Sequence, residues 1–321
     1  MKLSKLNRPS LVTGGCGFVG RHVVNRLIGM GRDVVIVDDL STGIQPAQWL
    51  GDDFRDERID PLTLEYTNGR GCRVVFHHSD LIGFLRNTPE VLRDYFLNSQ
   101  VFEYCVHLAA VVGGRLKIDG DPMSVARDLA LDAEFFGWLV KAKPMKNLYA
   151  SSSAAYPIEL QKGEGAQLRE EDIDFEARLG RPDMTYGWSK LTGEYLAQIA
   201  AKYYDVSIVC IRPFSGYGED QDLSYPVPAI ARRAALKEDP FEVWGTGEQG
   251  RDFVHIEDCV DLMFLALDKC KDGRAYNIGC GKLTSFIELI QLFTRFAGYQ
   301  PTIKRLLDKP VGVNSRYCSY E

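Results

Sequence analysis

The sequence predicts an α/β protein: a parallel sheet wound with helices on both faces, followed by a smaller α/β lobe. Three observations carry this. Short apolar, β-branched runs recur at 10–13, 33–38, 73–77, 104–110, 148–153 and 206–212, with helix-patterned segments between them, and strands that alternate with helices pair in parallel. The first run breaks at Gly14 into a glycine turn that opens a helix. Beyond residue 212 the chain changes character, punctuated by Pro, Gly and Arg as in Val227-Pro228 and Lys309–Arg316. A nucleotide-binding domain is therefore expected over 1–212 and a substrate lobe over 213–321, with the chain returning to the first domain at roughly 251–275.

Composition narrows the class. With 321 residues, 45% hydrophobic and 26% charged, the chain can bury one large core and an appended lobe. A net charge of -6 without a Lys/Arg-rich run argues against nucleic acid or an anionic membrane as a partner. The eight cysteines include no CxxC pair, which fits reduced thiols rather than disulfides or a metal site. No run of ~18 apolar residues occurs, and residues 1–9 lack the apolar stretch of a signal peptide. A cytoplasmic location and no metal are expected.

In Ser10–Gly20 the glycines Gly14, Gly17 and Gly20 suit a turn in which backbone amides meet a pyrophosphate, with Phe18 and Val19 opening the helix. Asp38 and Asp39 end the second strand about twenty residues further on, where a carboxylate bonds a ribose 2'-OH and repels a 2'-phosphate. NAD is therefore favoured over NADP. Asp80 follows the third strand and is either an adenine contact or a turn carboxylate. The stretch 44–71 reads as a long connection, a functional rim or partner contact.

Tyr186 and Lys190 stand four apart, so on a helix they share a face. A helix is expected from Asp183, as N-cap, to Tyr204, with Leu191, Tyr195, Leu196, Ile199 and Tyr203 as its apolar stripe. A neighbouring ammonium favours the phenolate, so Lys190 is expected to lower the Tyr186 pKa from its usual ~10 towards neutrality.

Taken together, Thr13–Gly20, His107–Ala110, Ser151–Pro157, Tyr186–Lys190 and Arg251–Asp261 resemble the extended short-chain dehydrogenase/reductases, the NAD-dependent nucleotide-sugar epimerases and dehydratases. Within that family the motifs are most similar to the GDP-mannose 3,5-epimerases and GDP-heptose 4-dehydrogenases. The resemblance implies a Rossmann-type sheet and catalysis by Ser152, Tyr186 and Lys190. It implies NAD contacts at Gly14, Gly17, Phe18, Val19, Gly20, Asp38, Asp39, Asp80, Leu81, Leu108, Ala109, Ala110, Tyr186, Lys190 and Pro213. Substrate contacts are implied at Gly113, Gly114, Ser153, Ser215, Val227, Arg251 and Arg316, the arginines being suited to a diphosphate. A homodimer through the Tyr186 helix and the one before it is also implied.

Two departures shape the expected reaction. Ala154 stands where the 3,5-epimerases carry a Cys base, and Ser153-Ala154 where the 4,6-dehydratases carry an Asp-Glu pair. What remains is hydride transfer at sugar carbon 4. The expectation is a 4-dehydrogenase acting on a GDP-linked sugar; the alternatives are a 4-epimerase of the UDP-glucose or UDP-glucuronate type and a 3,5-epimerase. An NAD-sensing module without turnover is the non-enzyme alternative, and it has no need of Tyr186 and Lys190.

Overall fold

The computed structural model describes residues 6–319 apart from Arg8, Ser99, Gly114, Gly163 and Glu164, and of residues 115–117 the backbone alone. Strand β1 (Ser10–Thr13) passes through the glycine turn into helix α1 (Phe18–Gly29), and β2 (Val34–Asp38) returns beside it. There follow β3 (Arg55–Arg58), β4 (Thr63–Thr67), β5 (Arg73–His78), α2 (Leu81–Arg86), α3 (Glu90–Leu97), β6 (Tyr104–His107), α4 (Arg115–Gly120), α5 (Ser124–Ala142), β7 (Lys146–Ala150), α6 (Met184–Tyr204) and β8 (Ile208–Pro213). The remainder holds β9 (Ser215–Tyr217), α7 (Pro226–Ala235), β10 (Phe241–Trp244), β11 (Gly250–Arg251), β12 (Phe253–His255), α8 (Ile256–Lys269), β13 (Asp272–Ile278), β14 (Thr284–Ser285), α9 (Phe286–Phe296), β15 (Ile303–Leu306) and β16 (Ser315–Arg316).

The large sheet runs β13-β8-β7-β6-β1-β2-β5-β4-β3. From β13 to β5 every pairing is parallel. Strand order reverses between β1 and β6, and such a reversal opens a crevice at the strands' carboxyl ends. Parallel strands are covered on both faces, and alternate residues here go opposite ways. Val12, Ile36 and Val106 pack with Val24 of α1 and Met263 of α8. Leu11, Val35 and Cys105 pack with Phe84 of α2, Phe135 of α5 and Ala197 of α6. A separate apolar cluster joins Val227 and Ile230 of α7, Phe241 and Val243 of β10 and Leu289 and Ile290 of α9. Helix α9 is started by a capping box in which Ser285 and Glu288 bond each other's backbone N–H. Among the described residues no helix is long and apolar enough to cross a membrane.

Two expectations are corrected. The 44–71 stretch, expected as a long connection, contains strands: β3 and β4 form a hairpin that extends the sheet antiparallel to β5. All four residues of β3 are exposed, so it carries no apolar alternation to read, and its charges suit an edge strand. In α6 the buried face is Ser189, Lys190, Leu191, Gly193, Glu194, Ala197 and Ala200, while Tyr195 and Tyr203 are exposed. The helix lies close against the sheet, which favours small residues and buries charges already paired. Asp183 holds the N-cap position in extended backbone, but its carboxylate caps nothing; it bonds Arg316 at 2.5 Å instead.

Gly193 sets the closeness of that packing. A Cβ there would lie 2.1 Å from the Tyr149 hydroxyl oxygen, and Tyr149 is fully buried. Gly193→Ala should therefore overpack the α6–β7 contact and cost roughly 1–3 kcal/mol. Urea unfolding monitored by circular dichroism checks this; an unchanged midpoint would show that the helix can shift freely.

Candidate active site

The crevice between β1 and β6 is built from backbone lying on backbone. Gly14 takes φ +70°, and a Cβ there would sit 2.8 Å from the Ala109 nitrogen. At Gly20 a Cβ would come within 2.3 Å of the Gly14 carbonyl oxygen, so only hydrogen lets α1 start this close to the turn. Above the turn lies a cavity of about 290 Å³ walled by Gly14, Gly17, Asp38, Asp39, Asp80, Leu81, Leu108, Ala109 and Ala110, with Ser41, Thr42 and Arg127 closing it. Phe18, Val19 and Gly20 are not in that wall; they form the first turn of α1, whose N–H groups lack helical partners. Phe18 packs edge-on to His22, and Pro213 ends β8 opposite Ile278.

The acidic residues of the crevice differ in their surroundings. Asp38 accepts the N–H of Cys16 at 2.9 Å and of Leu40 at 2.8 Å, yet burial outweighs these bonds and raises its pKa. Burial also pushes Asp39 upward, but Ser41 and Arg127 outweigh it and hold the carboxyl below its usual range. Asp80 caps α2 by accepting from Gly83 N at 2.8 Å, so it is a structural cap that also faces the cavity.

Ser152, Tyr186 and Lys190 are brought together where β7 ends and α6 begins. The Ser152 hydroxyl accepts from Ala154 N at 3.1 Å and lies near enough to Tyr186 to act to lower its pKa. Lys190 Nζ lies 5.6 Å from the centre of the Tyr186 ring and 5.0 Å from that of Tyr149. The expected depression of the Tyr186 pKa is corrected here. Burial raises it, and Asp128 and Asp132 raise it further, so that the lowering by Lys190 and Ser152 is overcome. Burial lowers the Lys190 pKa, but the negative charge of Asp132 and Asp128, joined by that of Tyr186 when it is ionised, raises it above its usual value. Without a further positive charge in the cleft, the pair rests as phenol and ammonium.

Beneath it runs a buried polar chain that sequence reasoning missed. Asp132 accepts from the Tyr149 hydroxyl at 2.6 Å and from His107 Nε2 at 3.2 Å. His107 Nδ1 lies 2.6 Å from the Thr13 hydroxyl. A carboxylate only accepts, so Nε2 carries the hydrogen and Nδ1 accepts from Thr13. Asp128 accepts Val111 N at 2.6 Å, fixing the loop after β6. Glu194 binds Arg212 through two bonds of 2.8 and 2.9 Å and takes a short bond from Ser151. The signal present was the Asp128–Asp132 spacing of four on a helix, an acidic pair that reads as a solvated face until the partners are known.

The expected substrate residues are scattered around this centre. Ser215 and Val227 wall a second cavity of about 180 Å³, together with Phe214, Gly216, Gln221, Tyr225, Pro226 and Phe253. Ser153 is buried in a single helical turn with Ala154 and Ala155. Gly113 is half-buried in the loop after β6, and Gly114 lies outside the described residues. Both arginines are engaged within the protein. Arg251 bonds the carbonyls of Gly250 and Val313, and Arg316 bonds Gln161 and Asp183. Among the described residues no cluster of His, Cys, Asp and Glu is arranged to hold a metal.

Comparison with known proteins identifies this arrangement. The model of the NAD dependent epimerase/dehydratase family matches residues 10–279. The chain belongs to that family. It is 27% identical over 320 residues to the UDP-glucose 4-epimerase of Lacticaseibacillus casei, covering 90% of this chain and 81% of that one. It is 30% identical over 222 residues to the GDP-L-fucose synthase of Sinorhizobium fredii, covering 66% and 69%. Among solved structures, a UDP-glucose 4-epimerase of Thermotoga maritima superimposes with a TM-score of 0.74 at 24% identity, over 97% of this chain and 90% of that one. The protein is an NAD-dependent enzyme of the nucleotide-sugar class, and the glycine turn, the acidic end of β2 and the crevice above them fit the dinucleotide.

His107 is buried and neutral: burial and Lys190 lower its pKa more than Asp132 raises it. With the folded pKa below the unfolded value, its contribution is complete above about pH 6.5 and is lost as pH falls towards the folded pKa. Denaturant titrations should show stability declining below about pH 6.5, by up to about 1.4 kcal/mol per pH unit for this one group. His107→Asn should flatten part of that slope; an unaltered slope would place the titration elsewhere.

Proposed function

We propose that this enzyme oxidises a hydroxyl at sugar carbon 4 of a nucleotide-diphosphate sugar. The observation that carries the reading is the convergence of Ser152, Tyr186 and Lys190, with Ser153 and Ala154 supplying no acid or base beside them. Tyr186 takes the proton of the reacting hydroxyl, and Ser152 holds the same oxygen by a hydrogen bond. Lys190 steadies the phenolate and binds the nicotinamide ribose. Bound NAD would supply the hydride acceptor and, through its cationic nicotinamide ring, a charge that favours the phenolate. Asp38 receives the adenosine ribose. Ser215, Val227 and the lobe beyond β8 hold the substrate. The exposed Trp188, Tyr195 and Tyr203 of α6 are apolar surface suited to a second copy of the chain.

The product is read as the 4-ketone, released as by a 4-dehydrogenase, and the base as guanine. A second reading, 4-epimerisation, is supported by the similarity to UDP-glucose 4-epimerases along nearly the whole chain. Incubation with UDP-, GDP- and dTDP-sugars, followed at the NADH absorbance and by NMR of the product, separates the two. Accumulating NADH with a ketone marks the dehydrogenase, and an inverted carbon 4 without net NADH marks the epimerase. No reaction with any sugar would overturn both.

Tyr186→Phe keeps the ring and removes the proton acceptor, so kcat should fall roughly 10²-fold or more while NAD still binds. Near wild-type turnover would remove Tyr186 from the mechanism. In heavy water the product should carry no enzyme-dependent deuterium at carbons 3 and 5, because Ala154 stands where the 3,5-epimerases carry a base; rapid incorporation would return the protein to the 3,5-epimerases. Asp38→Asn should narrow the preference for NAD over NADP by roughly 10-fold or more, read from the two dissociation constants. Equal affinities in the wild type would contradict the role of Asp38.

A further inference from the structure

Lys190 is buried, yet its carboxylate neighbours stand off. Among the described residues its Nζ makes no hydrogen bond and no ion pair; Asp132 and Asp128 act on it through space. What the ammonium meets instead is two aromatic faces, with ring centres at 5.0 Å for Tyr149 and 5.6 Å for Tyr186. Both lie inside the ~6 Å over which the negative face of a ring attracts a cation, an attraction that is strongest where water is excluded. Tyr186 is the reacting phenol. Tyr149 has no part in the chemistry proposed above, and its ring is the nearer of the two.

The Tyr149 ring is also fixed. It is fully buried and tilted against His107 and Phe136, with ring centres 5.9 and 5.6 Å apart. Gly193 closes on its hydroxyl edge, where a Cβ would collide. The hydroxyl donates to Asp132 at 2.6 Å. A phenol that donates to a carboxylate gains electron density on its oxygen and ring, because the acceptor draws the proton away. Asp132 therefore acts on the ammonium twice, by its own charge and through the ring. Lysine carries its charge on a flexible four-carbon stem, so a buried ammonium without a close partner needs something to set its place. We infer that Tyr149 is a positioning residue of the proposed reaction: its ring seats the Lys190 ammonium beside the Tyr186 phenol, and the hydrogen bond to Asp132 strengthens that seat. The inference rests on the role given to Lys190 under the proposed function and deepens it.

The test compares Tyr149→Phe with the enzyme carrying 3-fluorophenylalanine or 3,5-difluorophenylalanine in place of Tyr149. All three lack the hydroxyl, so Asp132 loses the same donor in each. The rings are nearly equal in size and differ in the negative charge of their faces, which fluorine withdraws. Two constants are read: the dissociation constant of NAD by calorimetry, and kcat/KM on the first of UDP-glucose, UDP-N-acetylglucosamine or GDP-mannose to be turned over. Each fluorine should weaken NAD binding and lower kcat/KM by about 3-fold. Tyr149→Phe should itself stand below wild type, having lost the density lent by Asp132. With Lys190→Ala in the background there is no ammonium to seat, and the steps in NAD binding should vanish.

A ring that only fills space would leave both constants level across the series. That result, or steps of unchanged size with Lys190→Ala, overturns the inference and leaves the proposed function standing. Wild-type values for Tyr149→Phe overturn the part given to Asp132. Absence of turnover with every sugar overturns the proposed function, and NAD binding across the series then decides the inference by itself.

Discussion

An ammonium buried beneath a phenol is the constraint on which the rest of this protein turns. Lys190 is 3% exposed, and a charge that deep persists only if opposite charge and hydrogen bonds are provided nearby. Asp128 and Asp132 provide the charge from α5. Each is itself fixed, Asp132 by Tyr149 and His107, Asp128 by the backbone after β6. The requirement therefore propagates outward: α5 and α6 must pack side by side, Gly193 must admit Tyr149, and β6 must end at His107. Thr13, bonded to His107, carries the chain of contacts to the first residue of the nucleotide turn. The Tyr186–Lys190 pair and the crevice above the glycine turn are thus parts of one polar core.

The same carboxylates set the resting state of the site. They hold the lysine charged and they oppose ionisation of Tyr186. A cation entering the crevice shifts that balance towards the phenolate.

A second buried carboxyl group organises the C-terminal part of the chain. Asp252 is fully buried and accepts from Cys280 N at 2.7 Å, Gly281 N at 2.8 Å and Cys318 N at 3.3 Å. It gathers the turn after β13 and the strand leaving β16 onto one carboxylate. Arg316 then reaches back to Asp183 at the start of α6, so the far end of the chain braces the helix that bears Tyr186. Arg21 and His22 do the same from α1 towards Asp220, linking that helix to the segment that walls the second cavity.

The sequence alone determined the parallel sheet, the glycine turn and the Tyr186–Lys190 pair, because each is written in local periods: apolar runs, glycines where a Cβ would collide, residues four apart on a helix. Asp38 was legible for the same reason, lying a fixed distance beyond the turn. The edge hairpin was not, since β3 is entirely exposed and its pairing with β4 is made by backbone bonds that leave no apolar mark. Nor was the true face of α6: Tyr195 and Tyr203 look like core until the sheet selects the small residues beside Gly193. Asp128, Asp132 and Asp252 look like solvated polar residues in the chain and become buried groups only when distant elements close over them. The state of Tyr186 was misjudged because one neighbour, Lys190, is visible at spacing four, whereas burial and two carboxylates from α5 exist only after folding. Local geometry follows from neighbours in sequence, but the sign of a pKa shift depends on every charge and dipole in reach, and tertiary structure alone decides which those are.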